Sequence, residues 1–196
     1  MSTYLFVDGT NLYAAQYELF GPNKYICFSE LIKQTEQKLQ LSFTKIYFYA
    51  SYSPKSKKPH QNEKLFLKNE GLFYRSVKQT DKVVFFTGYR SKTSGKEKEV
   101  DVKLTADIIT YAFLKRFNNV FLLTGDADFL QALLSIRKFH NRININLLCM
   151  ENKIMYQGLF RFKTFIMVFI RKPVFKRIFK TVQTISLSSN KTVLKL

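Results

Sequence analysis

Short apolar runs alternate with longer amphipathic segments along most of this chain. Runs of this length with β-branched and aromatic residues are typical of buried strands, and the segments between them have the periodicity of helices. The pattern predicts strands at residues 4–7, 43–51, 72–78, 83–90, 119–124 and 143–149. It predicts helices at residues 12–19, 28–41, 60–71, 100–117, 127–139 and 153–170. We therefore expect an α/β fold with a mainly parallel central sheet and helices on both faces.

Turn and cap signals set the expected ends of several elements. Ser29 is a candidate N-cap for the second helix, and Gly71 is a candidate stop for the third. With the third helix ended at Gly71, the strands at 72–78 and 83–90 follow each other with only a short polar turn between them. This spacing suggests a hairpin.

Acidic side chains follow two of the predicted strands at the point where each strand ends. Asp8 follows the first strand, and Asp126 and Asp128 follow the strand predicted at residues 119–124. Asp101, with Glu99 close by, starts the long helix that comes after a polar loop. Since the carboxyl ends of parallel strands meet at one edge of a sheet, these four aspartates can meet there.

A cluster of carboxylates needs a counter-charge. Two carboxylates about 4 Å apart repel by about 4 kcal/mol at an effective dielectric near 20. Hard oxygen ligands favour Mg²⁺ or Mn²⁺ over zinc, and magnesium usually takes one or two direct carboxylates and keeps several waters. Each aspartate alone also has a structural interpretation, as a helix cap or a turn residue, so only their joint placement favours a metal site.

Asp107 lies on the same predicted helix as Asp101 but on another face. Asp107 follows Asp101 by six positions, which corresponds to a net rotation of about 240° around the helix. We expect Asp107 to pack beside the site or to bind a basic neighbour rather than to join the cluster.

The composition adds a strong positive charge to this picture. The chain of 196 residues has 32 Lys and Arg against 14 Asp and Glu, for a net charge of +18, and 46% of its residues are hydrophobic. That hydrophobic content argues against wholesale disorder. The basic excess favours a polyanionic partner, because each phosphate contact releases counterions. An anionic membrane surface is the competing partner.

The positive charge is densest near the C-terminus, where residues 151–196 carry ten Lys and Arg and one acid. We assign residues 1–170 to the folded domain and 171–196 to a basic C-terminal extension. The extension has three interpretations, as an RNA-binding arm, a membrane-surface helix or part of the fold, and we prefer RNA contact. The apolar run at 164–170 is too short to span a bilayer, and Pro173 interrupts the start of the amphipathic pattern at 171–180, so we do not expect a membrane partner.

Cysteine usage points to a reducing compartment. Cys27 and Cys149 form no CxxC pair and have no His at zinc-ligand spacing, so we expect two buried thiols. The first residues lack the basic start and long apolar stretch of a secretory signal. We therefore expect a cytoplasmic protein.

Three segments resemble the motifs of the NYN domain, a branch of the PIN-like nucleases. They are LFVDGTNLY at 5–13, KEVDVKLTADI at 98–108 and LLTGDADFLQAL at 122–133. Their order and spacing both fit, and the resemblance covers roughly residues 3–150. The combination is specific although each motif alone is not.

The resemblance implies a metal-dependent endoribonuclease on a Rossmann-like, three-layer fold of the PIN/NYN type. The metal-site carboxylates of the family correspond to Asp8, Asp101, Asp126 and Asp128. Asn11 and Thr124 match polar positions that would orient a metal-bound water or a phosphate oxygen. The family often has a further acid after the last strand, whereas this chain has Lys163 near the expected position.

We therefore predict hydrolysis of RNA phosphodiester bonds with Mg²⁺ or Mn²⁺ and no small-molecule cofactor. Asp8 and Asp126 would be the most direct ligands, with Asp101 and Asp128 acting through waters. Basic loop residues are the candidates for holding the RNA, with Tyr52 and Tyr89 between them as candidates for base stacking. The basic candidates are Lys55, Lys57, Lys58, Arg90, Lys92, Lys96 and Lys98.

Two other functions remain open on the same fold, a non-catalytic RNA-binding module and a DNA-directed nuclease. The intact set of aspartates argues against the first, whereas the metal chemistry of the second is the same. An acidic-site phosphatase is disfavoured, because the first strand leads into Asp8-Gly9-Thr10 and not into a DxD motif. The sequence also leaves a homodimer open.

Overall fold

A computed structural model of the chain describes residues 2–21, 24–90, 97–150, 166–171, 182–186 and 193–195. In chain order it contains β1 (Thr3–Asp8), α1 (Gly9–Phe20), β2 (Lys24–Ile26), α2 (Phe28–Leu39), β3 (Lys45–Ser51), α3 (Gln61–Lys78), β4 (Val83–Arg90), β5 (Glu97–Lys98), α4 (Val100–Phe113), β6 (Asn119–Leu123), a 3₁₀ turn (Ala127–Phe129), α5 (Leu130–Phe139), β7 (Asn144–Met150), β8 (Ile166–Arg171), β9 (Val182–Ser186) and β10 (Val193–Lys195). Strands and helices alternate through most of this series, as the sequence predicts.

Five parallel strands form the centre of the sheet in the order β4-β3-β1-β6-β7. The chain first builds β1, β3 and β4 in one direction and then crosses to the other side of β1 to form β6 and β7. The direction of winding therefore reverses between β1 and β6. In open parallel sheets such a reversal leaves a crevice beyond the carboxyl ends of the two strands.

Alternate residues of the central strands enter two different cores. In β1, Leu5 and Val7 pack with α1, α2 and α3, whereas Phe6 packs with α4 and α5. All three side chains are at most 1% exposed. The alternation places the Asp8 side chain on the same face as Phe6, which is the face that α4 covers. The predicted three-layer α/β fold is thus confirmed.

The predicted hairpin is wrong, because α3 continues through Gly71 to Lys78. Residues 72–78, which were predicted as a strand, form the last two turns of α3, and Phe73, Tyr74 and Val77 are fully buried there. Glycine inside a helix costs about 1 kcal/mol, whereas burying each large apolar side chain contributes about 1.5 to 3 kcal/mol. Burial therefore outweighs the stop signal, and α3 becomes the crossover between the parallel strands β3 and β4.

Several predicted helix boundaries also shift. The first helix begins at Gly9 rather than residue 12, because Asp8 caps it directly. The second begins at Phe28 with Cys27 as N-cap and no side-chain cap bond, so the prediction of a Ser29 cap is wrong. The long helix ends at Phe113, four residues before the predicted end.

The C-terminal third of the chain adds strands to this architecture. Residues 166–170, predicted as the end of a helix, form β8 instead, an apolar β-branched segment that pairs in parallel with β7. The rest of that predicted helix, including Lys163, lies outside the described residues. Strand β9 pairs with β8, and β10 pairs with β2. The domain boundary at residue 170 stays a prediction.

In the part of the chain that the structure describes, no helix is both long and apolar enough to cross a membrane.

Candidate functional site

Asp8 is the last residue of β1 and the N-cap of α1. Its Oδ1 accepts a hydrogen bond from the Asn11 backbone N–H at 3.0 Å, and its Oδ2 accepts one from the Thr124 hydroxyl at 2.8 Å. Asp8 is only 5% exposed, although it lies at the carboxyl edge of the sheet. A carboxylate is thus buried in the crevice between β1 and β6, and both of its oxygens are hydrogen-bonded.

Thr124, 2% exposed, joins this carboxylate to the turn after β6. Its hydroxyl donates to Asp8 and accepts a hydrogen bond from the Asp126 backbone N–H at 3.0 Å. A second link runs the other way, since the Gly125 N–H donates to the Asn11 side-chain oxygen at 3.0 Å. Two segments more than a hundred residues apart in sequence are therefore fixed to each other by side chains of the site itself.

Asp126 caps the helical turn that follows β6. Its Oδ1 accepts a hydrogen bond from the Asp128 backbone N–H at 2.9 Å, which confirms that this aspartate starts the helical segment. The first turn is 3₁₀, and α5 proper begins only at Leu130. Asp126 is half-buried, whereas the Asp128 side chain is exposed. The capping interpretation of Asp126 is thus correct, and it places this carboxylate beside the crevice.

Burial is the main reason that the pKa of Asp8 rises from its usual 3.8 to about 7. The hydrogen bonds from Asn11 and Thr124 favour the charged form and oppose this rise, whereas the negative charges of Asp101 and Asp126 add to it. Asp8, Asp101 and Asp126 therefore lie within electrostatic reach of one another. Asp101 is an exposed residue in the first turn of α4.

The donor set fits a hard divalent cation held mostly by water. Among the residues that the structure describes, no three His, Cys, Asp or Glu side chains are gathered closely enough to form a direct ligand cluster. Magnesium does not need one, because it usually takes only one or two carboxylates and retains several waters. The Thr124 hydroxyl links the Asp8 carboxylate to the Asp126 backbone, and the carboxylates of Asp8 and Asp126 are the candidates for such a pair. A cation held by both would offset the repulsion that adds to the rise in the pKa of Asp8.

A family model of the NYN domain matches residues 2–162 of the chain. The chain belongs to the NYN domain family. This family is part of the PIN-like nucleases, in agreement with the resemblance of the three sequence motifs. No protein with a curated description matches the chain.

The fold also has a solved counterpart. The crystal structure of a protein of unknown function from Vibrio parahaemolyticus resembles this NYN domain with a TM-score of 0.58 at 18% sequence identity. The match covers 85% of this chain and 91% of the other. A likeness at this identity shows the fold alone.

The predicted substrate residues of the NYN domain fall into two groups. Asn11 and Thr124 lie in the crevice and already hydrogen-bond within it, so any contact with water or phosphate would add to those bonds. Lys57 and Lys58 are exposed in the loop after β3. Arg90 and Lys98 lie on the paired strands β4 and β5, and their side chains are outside the described residues. Their contact with RNA stays a prediction.

Two glutamates of α3, which the sequence did not single out, hold the loop after β3. The buried Glu70 accepts hydrogen bonds from the Ser53 N–H at 2.9 Å and from its hydroxyl at 2.7 Å. Glu63 accepts the same pair of bonds from Ser56, each at 2.8 Å. Acids seven residues apart share a helix face, which is the signal that the sequence offers for this arrangement. The lysine-bearing loop is thereby tied to α3 at two points.

Asp107 binds a basic neighbour, as expected, and stays outside the carboxylate cluster. Its Oδ1 lies 2.6 Å from the Lys103 Nζ, and its Oδ2 accepts a hydrogen bond from the Tyr49 hydroxyl at 2.8 Å. Burial and this hydrogen bond both raise the pKa of Tyr49.

The burial of the cysteines differs slightly from expectation, because Cys149 is buried but Cys27 is only half-buried. Neither cysteine forms a disulfide.

Proposed function

We propose that this NYN domain is a metal-dependent endoribonuclease that hydrolyses RNA phosphodiester bonds at the crevice between β1 and β6. The observation that carries the proposal is the buried Asp8 carboxylate. The negative charges of Asp101 and Asp126 repel it, and it accepts a hydrogen bond from the Thr124 hydroxyl. A carboxylate in this environment is stabilised in its charged form by a divalent cation. Membership of a nuclease family favours phosphodiester bonds as the target.

The ion would be held directly by Asp8 and Asp126, with Asp101 and Asp128 reaching it through waters. When bound, Mg²⁺ or Mn²⁺ supplies charge stabilisation at the phosphate and a more acidic water. The chain itself fixes the geometry. Thr124 holds the Asp8 carboxylate in place, and Asn11 holds the turn that carries Asp126.

RNA would reach this acidic centre through the basic surroundings of the crevice. Lys57 and Lys58 are exposed on a loop that two Ser–Glu contacts tie to α3, so these charges are presented from a defined position. The net charge of +18 adds long-range attraction for a polyanion. We also propose a cytoplasmic setting, in which the thiols of Cys27 and Cys149 would stay reduced.

Cleavage assays with Mg²⁺, with Mn²⁺ and with EDTA test the proposal. The substrates are a labelled single-stranded RNA, the same RNA closed into a circle, a hairpin RNA and a single-stranded DNA. Asp8→Asn and Asp126→Asn are compared with wild type, and Asp81→Asn serves as a matched control because Asp81 is exposed on the turn before β4. We expect cleavage of the circle, loss of cleavage in EDTA and in both site variants, and full activity in the control.

Other outcomes favour the remaining candidates. Binding of RNA without cleavage under any metal condition would support an RNA-binding module on the same fold. Cleavage of DNA in preference to RNA would support a DNA-directed nuclease. Cleavage in EDTA, or full activity of both site variants, would refute the metal mechanism.

A further inference from the structure

Two exposed tyrosines emerge side by side at the carboxyl ends of β3 and β4. Tyr52 is 42% exposed and Tyr89 is 58% exposed. The strands pair in parallel with Ser51 opposite Gly88, so Tyr52 and Tyr89 are the next positions in that register. Neighbouring strands lie about 4.8 Å apart, which brings the two backbones within about 5 Å. The rings therefore start from adjacent points at the edge of the sheet that holds Asp8.

Both rings belong to the face of the sheet that α3 covers. The register pairs Phe48 with Phe85, and these two rings stack at 5.1 Å on that face. Side chains alternate along a strand, so Tyr52 and Tyr89 point to the same face as this pair. Thr87 lies between Phe85 and Tyr89 on this face and is also exposed. Beyond the stacked phenylalanines, the face thus opens to solvent.

Lys78, the last residue of α3, adds a positive charge to this surface. Its Nζ lies 4.6 Å from the centre of the Phe85 ring and 5.6 Å from the centre of the Tyr52 ring. It also donates a hydrogen bond to the Tyr52 hydroxyl at 3.4 Å. The lysine is exposed, so its charge remains available to an anion from solvent.

The position of Tyr52 is fixed before any ligand arrives. Its ring packs edge-on against the buried Tyr74 ring, with centroids 5.2 Å apart. The next residue, Ser53, donates hydrogen bonds from its N–H and its hydroxyl to the buried Glu70. A ring held in this way loses little conformational freedom when it binds a flat partner.

We propose that Tyr52, Tyr89 and Lys78 form a binding subsite for unpaired nucleotides, in which the rings stack on bases and the lysine binds a phosphate. This inference rests on the proposed function. It adds a preference for single-stranded RNA that crosses the carboxyl edge of the sheet, since the two rings lie on the α3 face and the Asp8 side chain lies on the α4 face. Tyr52 follows Tyr49, the register partner of Asp8, by three residues, which places the two backbones about 11 Å apart. Bases in a duplex are already stacked and paired, so their faces are not open to these rings.

Binding is measured by fluorescence anisotropy with a labelled oligo(U) and with a labelled RNA duplex, both in EDTA so that no cleavage occurs. We expect Tyr52→Ala and Tyr89→Ala each to weaken oligo(U) binding by about tenfold, the effect of one lost base–aromatic stack. Tyr→Phe at either position should bind as wild type. Lys78→Gln should lower the slope of log affinity against log salt by about 0.7. Duplex affinity should not change in the tyrosine variants.

Two controls keep the test decisive. Phe139→Ala removes an equally exposed ring, 67% exposed at the end of α5 on the opposite edge of the sheet, and should leave oligo(U) binding unchanged. Tyr52→Leu keeps the apolar contact with Tyr74, so a stable variant that still loses affinity separates stacking from folding. Wild-type affinity in Tyr52→Leu and Tyr89→Ala, or an equal loss for duplex and single strand, would overturn the subsite.

The outcomes also separate this inference from the proposed function. Loss of oligo(U) binding in the tyrosine variants of a protein that cleaves no RNA would support the subsite and refute the nuclease. Metal-dependent cleavage, together with oligo(U) affinity that is unchanged in the variants of both tyrosines, would support the nuclease and refute the subsite.

Discussion

Replacing Asp8 with Asn should stabilise the metal-free protein at alkaline pH and destabilise it slightly at acid pH. The pKa of Asp8 is raised in the folded state, so the folded protein binds this proton more tightly than the unfolded chain does. The resulting stability is complete below about pH 4 and is lost as the pH rises through about 7. Above that pH wild type buries a charged carboxylate, whereas the variant buries a neutral amide.

The size of the effect follows from the shift and from the hydrogen bonds. A rise from 3.8 to about 7 corresponds to about 4 kcal/mol, at about 1.4 kcal/mol for each pH unit. The amide introduced by Asp8→Asn can accept from Asn11 as before, but its nitrogen cannot accept from the Thr124 hydroxyl, which costs about 1 kcal/mol. The variant should therefore gain about 3 kcal/mol at pH 8.5 and lose about 1 kcal/mol at pH 3.5, where Asp8 is largely protonated in both the folded and the unfolded state. For a domain of this size these values correspond to about 6 to 12 °C and about 2 to 4 °C in Tm.

Thermal unfolding of both proteins at pH 3.5 and pH 8.5 in EDTA measures the difference. Asp81→Asn is the matched control, because it removes an exposed carboxylate and should show no reversal of sign between the two pH values. If Asp8→Asn were destabilising by the same amount at both pH values, the reasoning from a buried, repelled carboxylate would be refuted.

Four further predictions use other parts of the site and core. Addition of Mg²⁺ should raise the Tm of wild type more at pH 8 than at pH 6, because the proton and the ion compete for Asp8, and differential scanning fluorimetry with Asp8→Asn as control tests this. Thr124→Val should remove the link between Asp8 and Asp126 and lower the cleavage rate at least tenfold, whereas Thr124→Ser should keep most of it; single-turnover kinetics in Mg²⁺ compares them. Gly9→Ala should cost about 3 kcal/mol in urea unfolding, since the added Cβ would lie 2.1 Å from the Phe48 ring. Gly71→Ala, with open space around it, should instead stabilise α3 by about 0.5 to 1 kcal/mol.

The sequence predicted the elements whose signal is local and missed the end of α3, which depends on packing. Strands β1, β3, β6 and β7 are mostly apolar, and their alternation with helices sufficed to predict the sheet and its layers. Gly71 alone could not predict the end of α3, because the helix continues where three apolar residues beyond Gly71 are buried in a core. That core is built by strands and helices distant in sequence. Because the last two turns of α3 were predicted as a strand, the helical crossover between the parallel strands β3 and β4 was predicted as a hairpin.

The sequence predicted the acids of the site from their positions and its neutral residues Asn11 and Thr124 from the family resemblance, but it did not predict the hydrogen bonds among them. Asp8 and Asp126 stand directly after buried strands, so the topology alone brings them to one edge. The bonds that hold them depend on a hydroxyl and an amide that meet across the crevice, a contact that no spacing along the chain reveals. Lys78 was hidden for a related reason, since reading it as part of a strand placed it away from the ring of Tyr52 that it contacts.

The same few residues fold this edge of the sheet and prepare its chemistry. Asp8 and Asp126 each cap a helical segment, so loss of the side-chain acceptor at either position should loosen the start of α1 or of the turn before α5. Capping needs only a hydrogen-bond acceptor, which Asn or Ser supplies without charge. A buried charge at Asp8 is therefore more than the fold requires, and at neutral pH it opposes folding by kilocalories. A domain that keeps a carboxylate where an amide would be more stable is expected to use the charge, and a divalent cation is the ligand that recovers the lost stability.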